Sequence, residues 1–301
     1  MAASTHGHNI HTWNPNDRLI HKWHAKSGHL FCIVFSPDSR ELATCGEDRS
    51  ITLWQADTGL VVHKIMYGCQ PAGTLYRGYA RVIAFSPDGH TMAAGNGVLW
   101  DLQTGRPRTQ LAIRSNINSM VFLNDQELIT TSNKLGQDPT GIKVWNVMTG
   151  REIRKLDTPY EFSCLSISPD KRTLACGDER GYVTLLDIRA NRLIRSWQAW
   201  TRHGGDIRFP IYDIAFSPNG KVLAIAGAAV DLLDASDLFS DITVEPELLG
   251  NFLKDNGFPF FSVAFAPDGR TLIGSNETNH INRWRLNDRL SGLLEPEPLS
   301  P

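Results

Sequence analysis

The chain has 301 residues, of which 41% are hydrophobic and 21% charged, and its formal net charge at pH 7 is −2. This near-neutral balance gives no electrostatic case for nucleic acid, which usually requires a basic patch or stripe. No apolar run approaches the roughly 18 residues that a membrane helix needs, and the length suffices for one large all-β domain or two smaller ones. We therefore expect neither a nucleic-acid partner nor a membrane partner.

The cysteines and the N-terminus bear on the cellular compartment. The N-terminus, "MAASTHGHNIHTW", lacks the basic start and the continuous apolar segment of a signal peptide. The five cysteines are widely spaced and form no CxxC pair: Cys32, Cys45, Cys69, Cys164 and Cys176. Free thiols in a reducing compartment are the simplest interpretation. We expect a cytoplasmic protein.

In chain order, the first predicted elements are three short strands near the N-terminus, "MAAS", "NIHTW" and "RLIHKW". A longer unit then repeats along the chain. Its turn sequence "FSPD" begins at Phe35 and returns, with variation, at Phe85, Phe122, Ile167, Phe216 and Phe265. A second series follows in phase, with short apolar runs that end at Trp54, Trp100, Trp145, Leu186, Leu233 and Trp284. Each unit therefore predicts four short strands.

The residue types suit this interpretation. In Ser-Pro-Asp-Gly, proline presets φ for a tight turn, and glycine accepts a left-handed conformation at the end of that turn. The strand before it, "FCIVF" in the first full unit, is apolar on both faces, whereas the fourth strand mixes basic and apolar residues as a solvent-facing edge does. Short strands with regular turns and no helical pattern between them predict an all-β repeat architecture.

These repeats resemble the WD40 β-propeller family, and the unit that begins at Gly28 and His29 is the fullest match. In that family a His, an Asp, a Ser or Thr and a Trp form a hydrogen-bonded tetrad that stiffens a blade. The resemblance implies this structural role for His29, Asp48, Ser50 and Trp54. Other units depart from the pattern, since Arg180 occupies an expected aspartate position and Leu186 and Leu233 replace tryptophan.

The number of blades has two interpretations, because the N-terminal strands supply only part of a unit. The first is a single seven-bladed WD40-like β-propeller in which the N-terminal blade lacks its inner strand, with "SGLLEP" as the outer strand of the last blade. The natural protein would then begin upstream of Met1 or be longer than this segment. The alternative is six blades plus an N-terminal hairpin. The repeats span approximately 1–25 (partial), 26–70, 71–113, 114–158, 159–199, 200–251 and 252–301.

Long insertions between the strands are the candidate functional segments. Four of them, 66–79, 132–141, 198–210 and 251–259, belong to loop classes that lie on one face of this topology. They are rich in aromatic residues and arginine, the residue types that dominate binding hot spots. The candidate partner-binding residues are Tyr67, Tyr76, Arg77, Tyr79, Trp200, Arg202, Arg208, Phe252 and Phe258. A fifth insertion, 235–250, is acidic and belongs to the opposite face. The alternative is that these side chains only cover blade edges.

Motifs for catalysis or metal binding are weak. His6, His8 and His11 lie close together but have no cysteine or carboxylate at a ligand spacing, and "HGGD" at 203–206 has no Gly-x-Ser-x-Gly elbow with it. We expect no cofactor, no metal and no enzymatic activity. The sequence favours a scaffold that binds other proteins or peptides. The alternatives are a sensory or targeting module of a larger signalling protein, and a small-molecule-binding or enzymatic propeller with its site at the central channel.

Overall fold

The protein, seen in a computed structural model, is built of short β-strands joined by turns. The structure describes residues 2–4, 9–13, 19–25, 28–66, 81–113, 115–132, 141–156, 158, 160–199, 209–236, 238, 248–252, 259–276, 281–286 and 297–298. These ranges hold no α-helix. A helix of the length and apolarity that membrane spanning demands is absent from the part of the chain that the structure describes.

The described strands form seven antiparallel sheets, one of three strands and six of four. We call the first the N-terminal sheet and the others blades 1 to 6. The N-terminal sheet contains β1 (Ala2–Ser4), β2 (Asn9–Trp13) and β3 (Leu19–His24). Blade 1 contains β4 (Leu30–Phe35), β5 (Glu41–Gly46), β6 (Ser50–Gln55) and β7 (Val61–Met66). Blade 2 contains β8 (Ile83–Phe85), β9 (Thr91–Ala94), β10 (Val98–Asp101) and β11 (Arg106–Gln110).

The remaining blades follow the same order, in which each strand pairs with the next along the chain. Blade 3 contains β12 (Ile117–Phe122), β13 (Glu127–Ser132), β14 (Gly141–Asn146) and β15 (Glu152–Leu156). Blade 4 contains β16 (Cys164–Ile167), β17 (Thr173–Gly177), β18 (Tyr182–Asp187) and β19 (Arg192–Gln198). Blade 5 contains β20 (Asp213–Phe216), β21 (Val222–Ala226), β22 (Val230–Asp234) and β23 (Leu248–Phe252). Blade 6 contains β24 (Phe260–Phe265), β25 (Thr271–Asn276), β26 (Ile281–Arg285) and β27 (Glu297–Pro298).

The chain divides into two compact units, Met1–Lys155 and Leu156–Pro301. In the first unit, β1 lies against β4, β4 against β8, and β8 against β12. In the second unit, β16 lies against β20 and β20 against β24. Within each unit, therefore, the first strand of one blade packs against the first strand of the next.

The blade count matches the alternative expectation, six four-stranded blades with the N-terminal strands in a sheet of their own. The segments "MAAS", "NIHTW" and "RLIHKW" supply β1, β2 and β3, and no strand among the described residues stands beside β1 as a fourth, which the seven-blade expectation also predicted. The two expectations differ only in whether this three-stranded sheet counts as a blade. The expected outer strand at 291–296 lies outside the described residues, and the single-domain division into repeats stays a prediction.

The apolar core lies in layers between consecutive sheets. Between the N-terminal sheet and blade 1, the buried side chains are Ile10, Ala25, Leu42 and Trp54. Similar clusters fill the spaces between blades 1 and 2, blades 2 and 3, blades 4 and 5, and blades 5 and 6. In blade 1 the middle strands β5 and β6 are buried because the N-terminal sheet packs against one face and blade 2 against the other, whereas the fourth strand β7 is mostly exposed.

The Ser-Pro-Asp turns join the first and second strands by a repeated side-chain network. In blade 2 the Ser86 hydroxyl donates to Asp88 at 2.5 Å and accepts from the Thr91 N–H at 2.9 Å. The same two bonds occur in three further blades, at Ser36, Ser168 and Ser217. The turn sequence therefore determines where each first strand ends and how it pairs with the second.

Candidate functional site

The partner-binding residues expected from the sequence fall outside what the structure describes. Eight of them lie beyond the described ranges: Tyr67, Tyr76, Arg77, Tyr79, Trp200, Arg202, Arg208 and Phe258. The ninth, Phe252, is placed only by its backbone, which pairs with Val230 in blade 5. Their role in binding stays a prediction.

The four residues of the expected tetrad all lie in or beside blade 1. The Ser50 hydroxyl donates to Asp48 at 2.7 Å, and the Lys64 ammonium lies 3.0 Å from the same carboxylate. Desolvation raises the pKa of Asp48, but the hydrogen bonds from Ser50 and Lys64 outweigh it, so that the net shift is downward. The backbone N–H of His29 donates to Glu47 at 3.3 Å. The tetrad role of these residues stays a prediction.

The indole of Trp54 reveals a residue that the sequence analysis missed. Its Nε1–H donates to the Thr44 hydroxyl on β5 at 2.8 Å, and in blade 3 Trp145 donates to Thr130 on β13 at the same distance. In both blades the tryptophan pairs across the strands with a leucine, and the threonine stands two residues beyond that leucine. A threonine at this position in both "ELAT" and "ELITT" is the sequence feature that could have indicated the hydrogen-bond partner of the tryptophan.

The first strands of three blades pair irregularly near their starts. In β4, β12 and β24 the register shifts near the start, so one extra residue stands opposite a single partner. Such a β-bulge re-aims a side chain and leaves the extra residue outside the regular pairing. In β4 and β24 the extra residue is aromatic and exposed, with 38% of Phe31 and 42% of Phe261 accessible to solvent.

In the first unit this position forms a pair that we call the Phe31 cluster, Phe31 and Arg81. The Arg81 guanidinium carbon lies 5.5 Å from the centroid of the Phe31 ring, and Arg81 is exposed just before β8. A cation over an aromatic face is a favourable arrangement within about 6 Å. The pair presents an apolar ring and a positive charge to solvent.

In the second unit the corresponding group is the Tyr212 cluster, which consists of Tyr212, Asp213, Phe261 and Ser262. The rings of Tyr212 and Phe261 meet edge to face, with centroids 5.0 Å apart, and both are exposed. Asp213 joins β20 to β24, because its Oδ2 accepts from the Ser262 hydroxyl at 2.8 Å and from the Val263 N–H at 2.9 Å. Burial raises the pKa of the Asp213 carboxyl, and these hydrogen bonds only partly oppose the shift.

The two clusters consist of exposed aromatic rings, an arginine and a hydrogen-bonded carboxylate. The described residues contain no group of three or more His, Cys, Asp and Glu side chains arranged to hold a metal ion. The buried thiols of Cys164 and Cys176 have pKa values raised mainly by desolvation. A raised thiol pKa disfavours the reactive thiolate, so these two cysteines are packing residues.

Comparison with known proteins places the chain among repeat proteins. The family model "WD domain, G-beta repeat" matches residues 17–55. Autophagy-related protein 16 of Arabidopsis thaliana is 26% identical over 248 residues, 75% of this chain and 43% of that protein. Human Striatin-4 is 23% identical over 73% of this chain and 31% of its own length. The guanine nucleotide-binding protein subunit beta of Oryza sativa subsp. japonica is 24% identical over 73% of this chain and 58% of its own length.

The alignment thus covers less than two thirds of each of these relatives. The matched repeat at 17–55 includes most of blade 1, and the same four-stranded sheet returns in five further blades. The repeat sequence, the four-stranded blades and the similarity to proteins with the same repeat agree. The chain therefore carries WD40 repeats and is similar to WD40-repeat β-propeller proteins.

Proposed function

We propose that the chain is a non-enzymatic scaffold that binds other proteins or peptides through the side chains at the starts of its first strands. WD40 propeller homologues are generally protein-interaction scaffolds. The relative from rice is by its name a subunit of a larger guanine nucleotide-binding protein. These similarities support the class of function, and the partner itself must be found by experiment.

The observation that carries the proposal is the exposure of aromatic rings at equivalent strand starts. Phe31 and Phe261 are the second residues of β4 and β24, Tyr212 directly precedes β20, and about two fifths of each residue is accessible. Aromatic residues and arginine are enriched at binding hot spots, because they bury much area at low entropic cost. A rigid sheet holds them in place before a partner arrives.

Three of the loop residues predicted from the sequence to bind a partner lie close in the chain to these strand starts. Tyr79, Arg208 and Phe258 precede Arg81, Tyr212 and Phe261 by only two, four and three positions. We include them in the proposed binding surface of their respective blades on this ground of chain connectivity. The acidic insertion 235–250 is left outside the proposal.

The test compares capture of partners by the wild type and two double variants, Phe31→Ser with Arg81→Ala and Tyr212→Ser with Phe261→Ser. The matched control is Ile153→Ser with Leu193→Ser, which removes apolar residues of similar exposure from fourth strands. All proteins must first show the same thermal melting. We expect proteins identified by mass spectrometry to bind the wild type and the control, and to be lost from at least one strand-start variant. Equal capture by all four proteins would contradict the proposal.

A further inference from the structure

The carboxylate of Asp213 lacks a balancing positive charge among the described residues. Its three described donors are neutral: the Ile214 N–H at 2.9 Å, the Ser262 hydroxyl and the Val263 N–H. None of the described ion pairs includes Asp213, and no basic side chain contributes to its pKa. A partly buried anion without a counter-charge is costly, since desolvation disfavours the charged form.

The other titratable groups near Asp213 do not supply that charge. The buried Cys164 thiol interacts with the negative charges of both Asp213 and Asp178, which raise its pKa in addition to desolvation. Asp178 accepts hydrogen bonds from the backbone N–H groups of Arg180 and Tyr182. The described surroundings of Asp213 are therefore neutral or negative.

Two exposed aromatic residues adjoin in the chain the residues Asp213 and Ser262, which are joined by a hydrogen bond. Tyr212 directly precedes Asp213, Phe261 directly precedes Ser262, and the two rings touch edge to face. Aromatic faces bind the aliphatic stems of lysine and arginine and attract their cationic heads. A carboxylate next to exposed rings is complementary to a side chain that is apolar along its length and positive at its end.

We propose that the Tyr212 cluster binds a basic side chain, lysine or arginine, presented by a peptide segment of a partner protein. The stem of that side chain packs on Tyr212 and Phe261, and its cationic head pairs with Asp213. This inference rests on the proposed function, since it names the kind of partner segment that one of the two strand-start clusters selects. Charge complementarity favours a basic segment over an acidic or purely apolar one.

The experiment selects ligands from a phage-displayed library of random peptides on the immobilised 301-residue chain. We expect the enriched peptides to share a basic residue. Replacing that residue by glutamine in the synthetic peptide should weaken binding by at least about tenfold. The variant Asp213→Asn should bind the basic and the glutamine peptide equally, and Tyr212→Ser with Phe261→Ser should lose both. The peptide substitution leaves the protein unchanged, so it decides the matter even if Asp213→Asn folds poorly.

Several results would overturn the inference. Enriched peptides without a basic residue that still depend on Tyr212 and Phe261 would contradict it while leaving the scaffold function intact. Basic peptides that bind all variants equally would locate their site elsewhere. Failure to enrich any peptide, together with equal capture of proteins by the strand-start variants, would contradict both proposals.

A measurement on the free protein provides an independent check. The Asp213 carboxyl, followed by carbon-13 NMR, should titrate above the usual aspartate range, and adding a selected basic peptide should lower its pKa. If Asp213 titrates at or below the usual range without peptide, the chain itself already stabilises the carboxylate, and the inference is wrong.

Discussion

Trp54 and Trp145 illustrate what a single polar partner does inside a blade. Each indole donates to a threonine hydroxyl at 2.8 Å between two buried strands. Trp100, the tryptophan of blade 2, stands opposite Met92, and the residue two positions further is Ala94, which has no hydroxyl. Its Nε1 is buried without a hydrogen-bond partner among the described residues. A buried donor without a partner costs about 1–3 kcal/mol.

The threonine partners can be tested by isosteric replacement. Thr44→Val and Thr130→Val should each lower the free energy of unfolding by about 1–3 kcal/mol, because the indole N–H loses its acceptor. Denaturant unfolding measures the loss, and the indole N–H signal in an NMR spectrum should shift for the tryptophan affected. The matched control is Ala94→Val, which adds the same side chain beside Trp100 and leaves its hydrogen bonding as it is. An unshifted indole signal in Thr44→Val would contradict the assignment.

His11 gives a prediction of pH dependence. It is 7% exposed, and burial, with a smaller effect from Lys22, lowers its pKa below the ordinary 6.5. The folded state therefore resists protonation, and the unfolded state binds the proton first as the pH falls. The stability linked to His11 is fully present above pH 6.5 and is lost as the pH falls from there through the folded-state pKa.

We expect hydrogen exchange of β2 and β3 to accelerate between about pH 7 and pH 5, after correction for the intrinsic effect of pH on exchange. The variant His11→Gln removes the titrating group, so its corrected protection should change less over the same interval. An equal loss of protection in both proteins would show that another group is responsible.

At the scale of the strands, the Pro-Asp and Pro-Asn turns between first and second strands share one backbone conformation. The residue after Pro-Asp or Pro-Asn in these turns has positive φ: Gly89 at 72°, Gly220 at 71° and Gly269 at 66°. In blade 4 this residue is Lys171, with φ of 61°. An L-residue pays roughly 1–2 kcal/mol in this conformation, which glycine avoids. The turn hydrogen bonds of the serine in blade 4 are nevertheless the same as in blades 1, 2 and 5.

Exchanging these turn residues tests how much the backbone conformation at this position contributes to the free energy of unfolding. Lys171→Gly should raise the free energy of unfolding by about 0.5–1 kcal/mol, since the gain in φ exceeds the extra backbone entropy of glycine. The reciprocal variant Gly220→Lys should lower it, although a Cβ there would meet Pro169 only at an ordinary 3.5 Å. Thermal unfolding of both variants measures the effect. Destabilisation by Lys171→Gly would mean that its side chain contributes more than its backbone loses.

At the scale of the whole molecule, each of the two units contains stacked sheets with its own core layers. The N-terminal sheet is part of the first unit, because Ile10 packs with Leu42 and Trp54 of blade 1. Trp23 lies 6.2 Å from Trp54 between ring centroids, and a Cβ on Gly59 would stand 3.0 Å from the Trp23 ring. Three strands thus suffice to bury one face of blade 1.

The packing of the N-terminal sheet on blade 1 predicts that two substitutions in this sheet differ strongly in their effect on stability. Ile10→Ala should destabilise the protein by about 2–5 kcal/mol, since Ile10 is fully buried. Ile20→Ala, on the neighbouring strand with 49% of the residue exposed, should change stability by no more than about 0.5 kcal/mol. Denaturant unfolding followed by tryptophan fluorescence measures both. Equal effects would mean that the N-terminal sheet does not contribute to the core of the first unit.

The repeat pattern could be predicted from the sequence because it depends on residues that are close together in the chain. Ser-Pro-Asp turns, alternating apolar runs and closing tryptophans act over a few neighbouring residues, and these predicted the four-stranded unit and the three N-terminal strands. The number of blades was not settled in this way, since it depends on which strands pair. The same holds for Thr44, which lies beside Trp54 only because of the register of β5 and β6.

The amino-acid sequence alone determined the all-β repeat and the position of each turn, because proline restricts φ, aspartate hydrogen-bonds the nearby backbone and glycine accepts the left-handed conformation. Only the tertiary structure decided which side chains meet at the strand starts. Arg81 beside blade 2 reaches Phe31 of the neighbouring blade 1, and Asp213 accepts from Val263, which is 50 residues away. Such contacts arise from bulges and from the stacking of distant strands, and neither is encoded in a short stretch of sequence.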